Sequence, residues 1–194
     1  MSETRLETRL GAEILPVIEG LAALRIEVFR DWPYLYEGDA AYERAYLSDY
    51  ASDGAICVAV WDGARLVGAA TAAPMADHAG AFAEALPAGW PLEETLYCAE
   101  SVLLARYRGR GIGHAFFDAR EAHGRALGLK HAVFAAVTRR SDHPLKPRAY
   151  RPLDPFWRSR GYAPIDGAVA RFAWRDVNES EETQKPLQLW ARRI

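Results

Sequence analysis

Between Glu100 and Gly113 the chain passes from an apolar run, Val102-Leu-Leu-Ala, through a turn containing Arg108, Gly109, Arg110, Gly111 and Gly113, into a helical pattern. Few backbones accept that order. Glycine permits dihedrals closed to other residues and removes side chains where something must lie against the main chain. The first amides of a helix have no internal partner, and the macrodipole favours an anion beside them. Arginines added to that geometry make a phosphate cradle between a strand and a helix. The stretch therefore predicts an α/β fold with an anion site after a mid-chain strand.

The flanking residues supply the other elements. Thr4 to Leu10 alternates as a short strand. From Ala12 to Arg30 the positions Ile14, Leu15, Ile18, Leu21, Ala22, Leu24, Arg25 and Val28 follow helical spacing, and Asp39 to Leu47 predicts a second helix. Ala55 to Trp61, the turn Asp62-Gly63 and Arg65 to Thr71 read as a hairpin. An irregular excursion runs from Pro74 to Pro91, with a short helix near Ala81 to Leu86. Thr95 to Leu104 is the strand before the glycine turn, Gly111 to Leu127 the helix after it, and His131 to Val137 a central strand. A polar loop, Thr138 to Pro152, leads to a short helix capped by Asp154 and ending at Gly161. Closing strands are expected near Ala168 to Val177 and Leu187 to Arg192. At 194 residues, half of them apolar, the chain can bury one core, and a single domain over 1–194 is expected.

Charge and composition exclude several classes. Residues 1–101 carry 6 basic and 17 acidic side chains, a net of −11, whereas residues 102–162 carry 13 and 4, a net of +9. A basic half suits an anionic ligand, and an acidic half suits a cationic one. That acidic excess would repel a long polyanion, so nucleic acid is not expected. No apolar run approaches the roughly 18 residues of a membrane span. The charged start, Met1-Ser-Glu-Thr-Arg, lacks the apolar segment of a secretory signal, so a cytoplasmic protein, monomer or homodimer, is expected. Cys57 and Cys98 lie in strand-like runs and read as buried free thiols. The five histidines form no i,i+4 pair, so no metal is expected.

Three glycine patterns compete for the phosphate. A P-loop needs a Gly-Lys pair, and none exists. The dinucleotide fingerprint needs a glycine at its sixth position. Counting from Gly109 that position is His114, and from Gly111 it is Phe116, which disfavours a nicotinamide-dependent oxidoreductase. What remains is R-x-x-G-x-G, satisfied by Arg108, Gly111 and Gly113.

With that signature the chain resembles the GNAT superfamily of acyl-CoA-dependent N-acyltransferases. The order of elements agrees over nearly the whole chain. Phe156-Trp157-Arg158-Ser159-Arg160-Gly161-Tyr162 is similar to that family's aromatic segment. The resemblance implies a mixed, mostly antiparallel sheet with a splayed parallel strand pair, flanked by helices. It implies acetyl-CoA as co-substrate, its pyrophosphate on the amides of Arg108, Gly109, Arg110, Gly111, Ile112 and Gly113, with His114 beside them. It implies that the strand edge at Val102, Leu103 and Leu104 bonds the pantetheine arm, and that the thioester sits where this strand splays from His131 to Val137. Arg106, Arg110, Arg139, Lys146 and Arg148 are candidates for the outer phosphate.

Transfer to an amine needs a base for the ammonium proton, a polarised carbonyl and a proton for the departing thiolate. Glu100 is the first candidate base, where several family members carry a carboxylate near the amine; the same position also suits a pair with an arginine. Backbone N–H groups near Leu103 would polarise the carbonyl. The family often places a tyrosine acid where this chain has Trp157, and an indole N–H releases no proton at useful pH. Trp157 is therefore expected against the CoA arm, with Tyr150 or water as the acid. Trp32, Tyr34 and Tyr36, at the junction of the first two helices, suit a small-molecule or peptide amine, and packing of that corner explains them equally well. Trp157 also leaves open a non-catalytic acyl-CoA-binding module.

Overall fold

The computed structural model describes residues 4–48, 50–78 and 80–194, so Met1 to Glu3 of the charged start lie outside the described residues. Strand β1 (Arg5–Leu10) passes at Gly11 into a 3-10 turn, Gly11–Val17, and only then into α1 (Ile18–Phe29). The spacing predicts helix from Ala12. Pro16 explains the delay, because it has no N–H to give and its ring crowds the carbonyl four residues back. Helix α2 (Ala40–Ser48) follows, with the Asp39 carboxylate accepting from the Tyr42 amide at 2.8 Å.

β2 (Ile56–Asp62) and β3 (Arg65–Pro74) form the expected hairpin, but Asp62 pairs with Arg65, so the loop is Gly63-Ala64. After α3 (Gly80–Ala85), the single strand expected over Thr95 to Leu104 is two, β4 (Thr95–Tyr97) and β5 (Ser101–Leu103). Then come α4 (Ile112–Ala126), β6 (His131–Val137), α5 (Asp154–Ser159), β7 (Ala163–Trp174) and β8 (Thr183–Arg193). Asp154 does not cap α5. Leu153 holds the cap position with no side-chain bond, and Pro155 in the first turn has no amide to satisfy.

The strand order is β1-β2-β3-β4-β6-β8-β7, with β5 paired to β3. Neighbours are antiparallel except β4 and β6, which run parallel with Leu96 opposite Ala132. Ile56 to Val60 of β2 and Val67 to Ala73 of β3 are buried throughout, because both sheet faces are covered there. α1 packs against β3 and β5, and α4 against β2, β3 and β4.

The break between β4 and β5 has a definite cause. Ala73 of β3 faces Tyr97, and Ala70 faces Ser101, which is three steps along β3 and four along the opposing strand. The extra residue is a β-bulge: the Ala99 amide donates to Thr71 O and the Thr71 amide to Glu100 O, each at 3.1 Å. Beyond the bulge β5 pairs β3 rather than β6, which opens a gap between β5 and β6. Among the described residues, no helix is long and apolar enough to cross a membrane.

Candidate active site

The glycine turn leads from β5 through a 3-10 turn, Ala105–Tyr107, to α4. Gly109 and Gly111 hold φ of 75° and 79°, a region that L side chains enter only under strain. A Cβ at either would meet no other atom within 4 Å, so the space above them is open. A Cβ at Gly113 would meet the Phe156 ring of α5 at 3.4 Å, an ordinary van der Waals contact. No side chain caps α4, and the Ala115 amide bonds Gly111 O at 3.2 Å, leaving the amides of the first turn directed outward.

The arginines divide into different roles. The Arg106 and Arg110 guanidinium groups lie 4.9 and 5.2 Å from the Tyr107 ring, and the Tyr107 hydroxyl donates to Asp62 at 2.5 Å. Arg110 also donates to Arg106 O at 2.9 Å, so the pair is fixed beside the turn. The Arg108 amide donates to Ala105 O at 3.1 Å and its Nε to Leu103 O at 3.2 Å. Its amide is therefore used within the turn. Arg139 is a correction: 9% exposed, it forms a bidentate pair with Asp176 and is not directed at a phosphate. Lys146 and Arg148 are exposed on the long loop. His114 is engaged by α5, with Nδ1 3.2 Å from Arg160 Nη1 and its ring edge-on to Phe156.

A cleft of about 270 Å³ runs beside this turn, between the end of α1 (Glu27, Val28, Asp31) and Leu104, Arg106 and Arg108. Strand alternation decides which main-chain groups face the gap. The Leu104 amide donates to Val67 O at 3.0 Å, so Leu104 and Val102 bond β3 while the N–H and C=O of Ser101 and Leu103 turn away from it. Of the three strand-edge residues, Leu103 is the one whose backbone faces the gap.

On the α1 side of the bulge lies a buried charge cluster. Glu100, 1% exposed, accepts from Arg25 Nη1 at 2.5 Å and from the Thr71 hydroxyl. Arg25 also pairs with the fully buried Glu43 of α2 through Nε, and lies 5.0 Å from the Phe29 ring and 4.8 Å from the Tyr46 ring. Desolvation opposes the guanidinium charge, but Glu100 and Glu43 more than offset it and raise the Arg25 pKa. Tyr46 and Tyr97 are both pushed up, by burial and then by neighbours that include Glu100.

The aromatic corner meets this cluster. Tyr34 stacks on Phe29 at 4.1 Å, and burial pushes its hydroxyl up to about 12, with Arg25, Glu100 and Tyr150 as its charged or ionisable neighbours. Tyr36 is raised by burial and by Glu43. Trp32 lies between His143 at 5.0 Å and Tyr150 at 5.9 Å. Burial and Asp154 raise the Tyr150 hydroxyl, so it is protonated at neutral pH. The Arg139–Asp176 pair fixes the corner, donating to Pro33 O at 2.8 Å and Tyr34 O at 2.6 Å. Trp157 packs on Phe134 of β6 at 5.0 Å and Trp190 of β8 at 5.2 Å.

Glu100, Tyr34, Tyr150 and Trp32 are thus brought to one side of the bulge, and the glycine turn to the end of β5. Sequence reasoning missed Arg25, Glu43, Thr71 and Arg120. Arg25 and Arg120 carried a usable signal, since each is a charge at an inward position of a helical pattern. Glu43 carried none. Among the described residues, no group of His, Cys, Asp and Glu is placed to hold a metal ion.

A family model described as "Acetyltransferase (GNAT) family" matches residues 21–147. Among solved structures, aminoglycoside 6'-N-acetyltransferase complexed with coenzyme A superposes with a TM-score of 0.61 at 16% identity, over 96% of each chain. Ribosomal-protein-alanine N-acetyltransferase from Brucella melitensis gives 0.61 at 12%, over 97% of this chain and 99% of that one. An acetyltransferase from Thermus thermophilus gives 0.58 at 13%, over 100% of both. At these identities the likeness is one of fold. No curated protein matches the chain in sequence.

Proposed function

The chain belongs to the GNAT acetyltransferase family and is an acyltransferase, and from that premise we propose that it moves an acetyl group from acetyl-CoA to a primary amine of a small molecule or peptide, by direct attack in a ternary complex. The observation that carries this reading is the uncapped first turn of α4, open above Gly109 and Gly111, beside a strand split by a bulge at Glu100. The pyrophosphate lies on the amides of Gly109 to His114, with Arg106 and Arg110 supplying countercharge. Leu103 offers its backbone to the pantetheine arm and its N–H to the oxyanion formed on attack.

Glu100, held by Arg25 and Thr71, accepts the amine proton directly or through water. Tyr150, protonated at neutral pH, returns a proton to the departing thiolate. Trp32, Tyr34 and Tyr36 line the amine's approach, next to the Arg25 cluster that holds Glu43 and Glu100. Trp157 holds the α5 side against the sheet rather than acting as an acid.

Thermal unfolding with acetyl-CoA, and separately with NAD, tests the ligand class. A hundredfold excess over the dissociation constant adds about 2.7 kcal/mol of stability. A shift with acetyl-CoA and none with NAD is expected; a shift with NAD alone would sink the reading.

A further inference from the structure

We propose that Arg120 is a positioning residue for acyl transfer, locking the bulge that opens the β5–β6 gap and aims Glu100; this rests on the acyl-transfer reading above. Arg120 lies on α4, four residues after Phe116, and is only 1% exposed. Among the described residues no carboxylate pairs with its guanidinium. Its partners are three carbonyls: Nε donates to Phe116 O at 3.2 Å, while Nη1 donates to Thr71 O at 3.2 Å and Glu100 O at 2.9 Å. Nη2 has no partner.

A buried cation satisfied this incompletely is a poor way to fill a core, because an apolar side chain packs there without the desolvation penalty. What the charge secures is geometry. Thr71 and Glu100 lie on opposite strands of the bulge, and one guanidinium nitrogen bonds both. Slipping β5 by one residue to erase the bulge would carry Glu100 O away from Nη1. The same slip would turn the Glu100 side chain to the other sheet face, away from Arg25. Arg120 also belongs to the helix whose first turn is the phosphate cradle. It therefore sets the distance between the cofactor's anchor and the candidate base, where misplacement by about 1 Å costs roughly 10²-fold in rate.

Arg120→Met fills the space as far as Nε and removes every donor; Arg120→Lys keeps a charge able to reach one carbonyl. With acetyl-CoA and an accepted amine, Arg120→Met should lower kcat roughly tenfold or more while leaving the Kd for acetyl-CoA within about threefold. Arg120→Lys should recover part of kcat. Amide hydrogen exchange at Ala99 and Thr71 should accelerate in Arg120→Met relative to β2. Wild-type kcat with unchanged exchange at those two amides overturns the proposal, as does a kcat loss that merely follows the folded fraction. A wild-type protein that acetylates no amine sinks the acyl-transfer reading instead, and the exchange rates alone then decide whether Arg120 holds the bulge.

Discussion

Arg25 Nη1 lies 2.5 Å from Glu100 Oε1, and the same guanidinium is shared with Glu43. One cation thus ties α1 to α2 and to the bulge between β4 and β5. Of the two roles that the sequence allows Glu100, a base and an arginine's partner, this contact shows the second. Truncating Arg25 leaves Glu100 and Glu43 both buried without their cation, which typically costs about 3–5 kcal/mol.

Glu100→Gln separates the two roles. The amide still accepts from Thr71 but cannot take a proton or offset the Arg25 charge. Turnover, corrected for folded protein, should fall by roughly 10²-fold or more, while the Kd for CoA changes little, because the cradle amides lie on α4. Steady-state kinetics with calorimetric binding checks this. Equal turnover removes Glu100 as the base.

Gly111→Val probes the cradle. At φ of 79° a β-branched residue is strained by about 1–3 kcal/mol. Its Cβ meets no atom of the protein within 4 Å, so the side chain projects into the open space above the turn. Acetyl-CoA binding should be lost with the fold retained, as read by calorimetry beside circular dichroism. Retained affinity would move the pyrophosphate elsewhere.

Arg139→Ala should act on stability and leave the phosphate site intact. Its partner Asp176 is 4% exposed and keeps Lys185 at 3.4 Å, so the loss should fall below the roughly 3–5 kcal/mol of an uncompensated buried charge. The measurement is denaturant unfolding together with the Kd for CoA. A weakened Kd at full stability would restore Arg139 as a phosphate ligand.

Stability should decline as the pH rises above about 9. Burial pushes the Cys57 thiol from its ordinary 9.0 up to about 12 and the Tyr34 hydroxyl from 10.0 up to about 12. The unfolded chain releases these protons first. Their contribution is therefore complete below the unfolded values and lost as the pH climbs through that interval. Urea midpoints measured from pH 8 upward should fall; a flat profile contradicts the burial of these groups.

What the sequence could disclose follows from how local each relationship is. The glycine turn is legible because its geometry is written in consecutive residues. The bulge is not, because it exists only in the register of Ala99 and Glu100 against Thr71, far away in the chain. Arg139 reads as a phosphate ligand when only its charge is visible; its partner Asp176 lies 37 residues on. Arg25 and Arg120 stand at inward helical positions, which announces that each must be satisfied inside, but not by which groups.

The central claim is transfer of an acyl group to an amine at the site joining the α4 cradle to Glu100. The direct measurement is the rate of free thiol release from acetyl-CoA across a panel of primary amines, with acetylated product identified by mass spectrometry. Amine-dependent release that saturates, that Gly111→Val abolishes and that Glu100→Gln lowers by roughly 10²-fold or more, is the predicted result. Tight binding of acetyl-CoA with no release for any amine, small molecule or peptide, would contradict it.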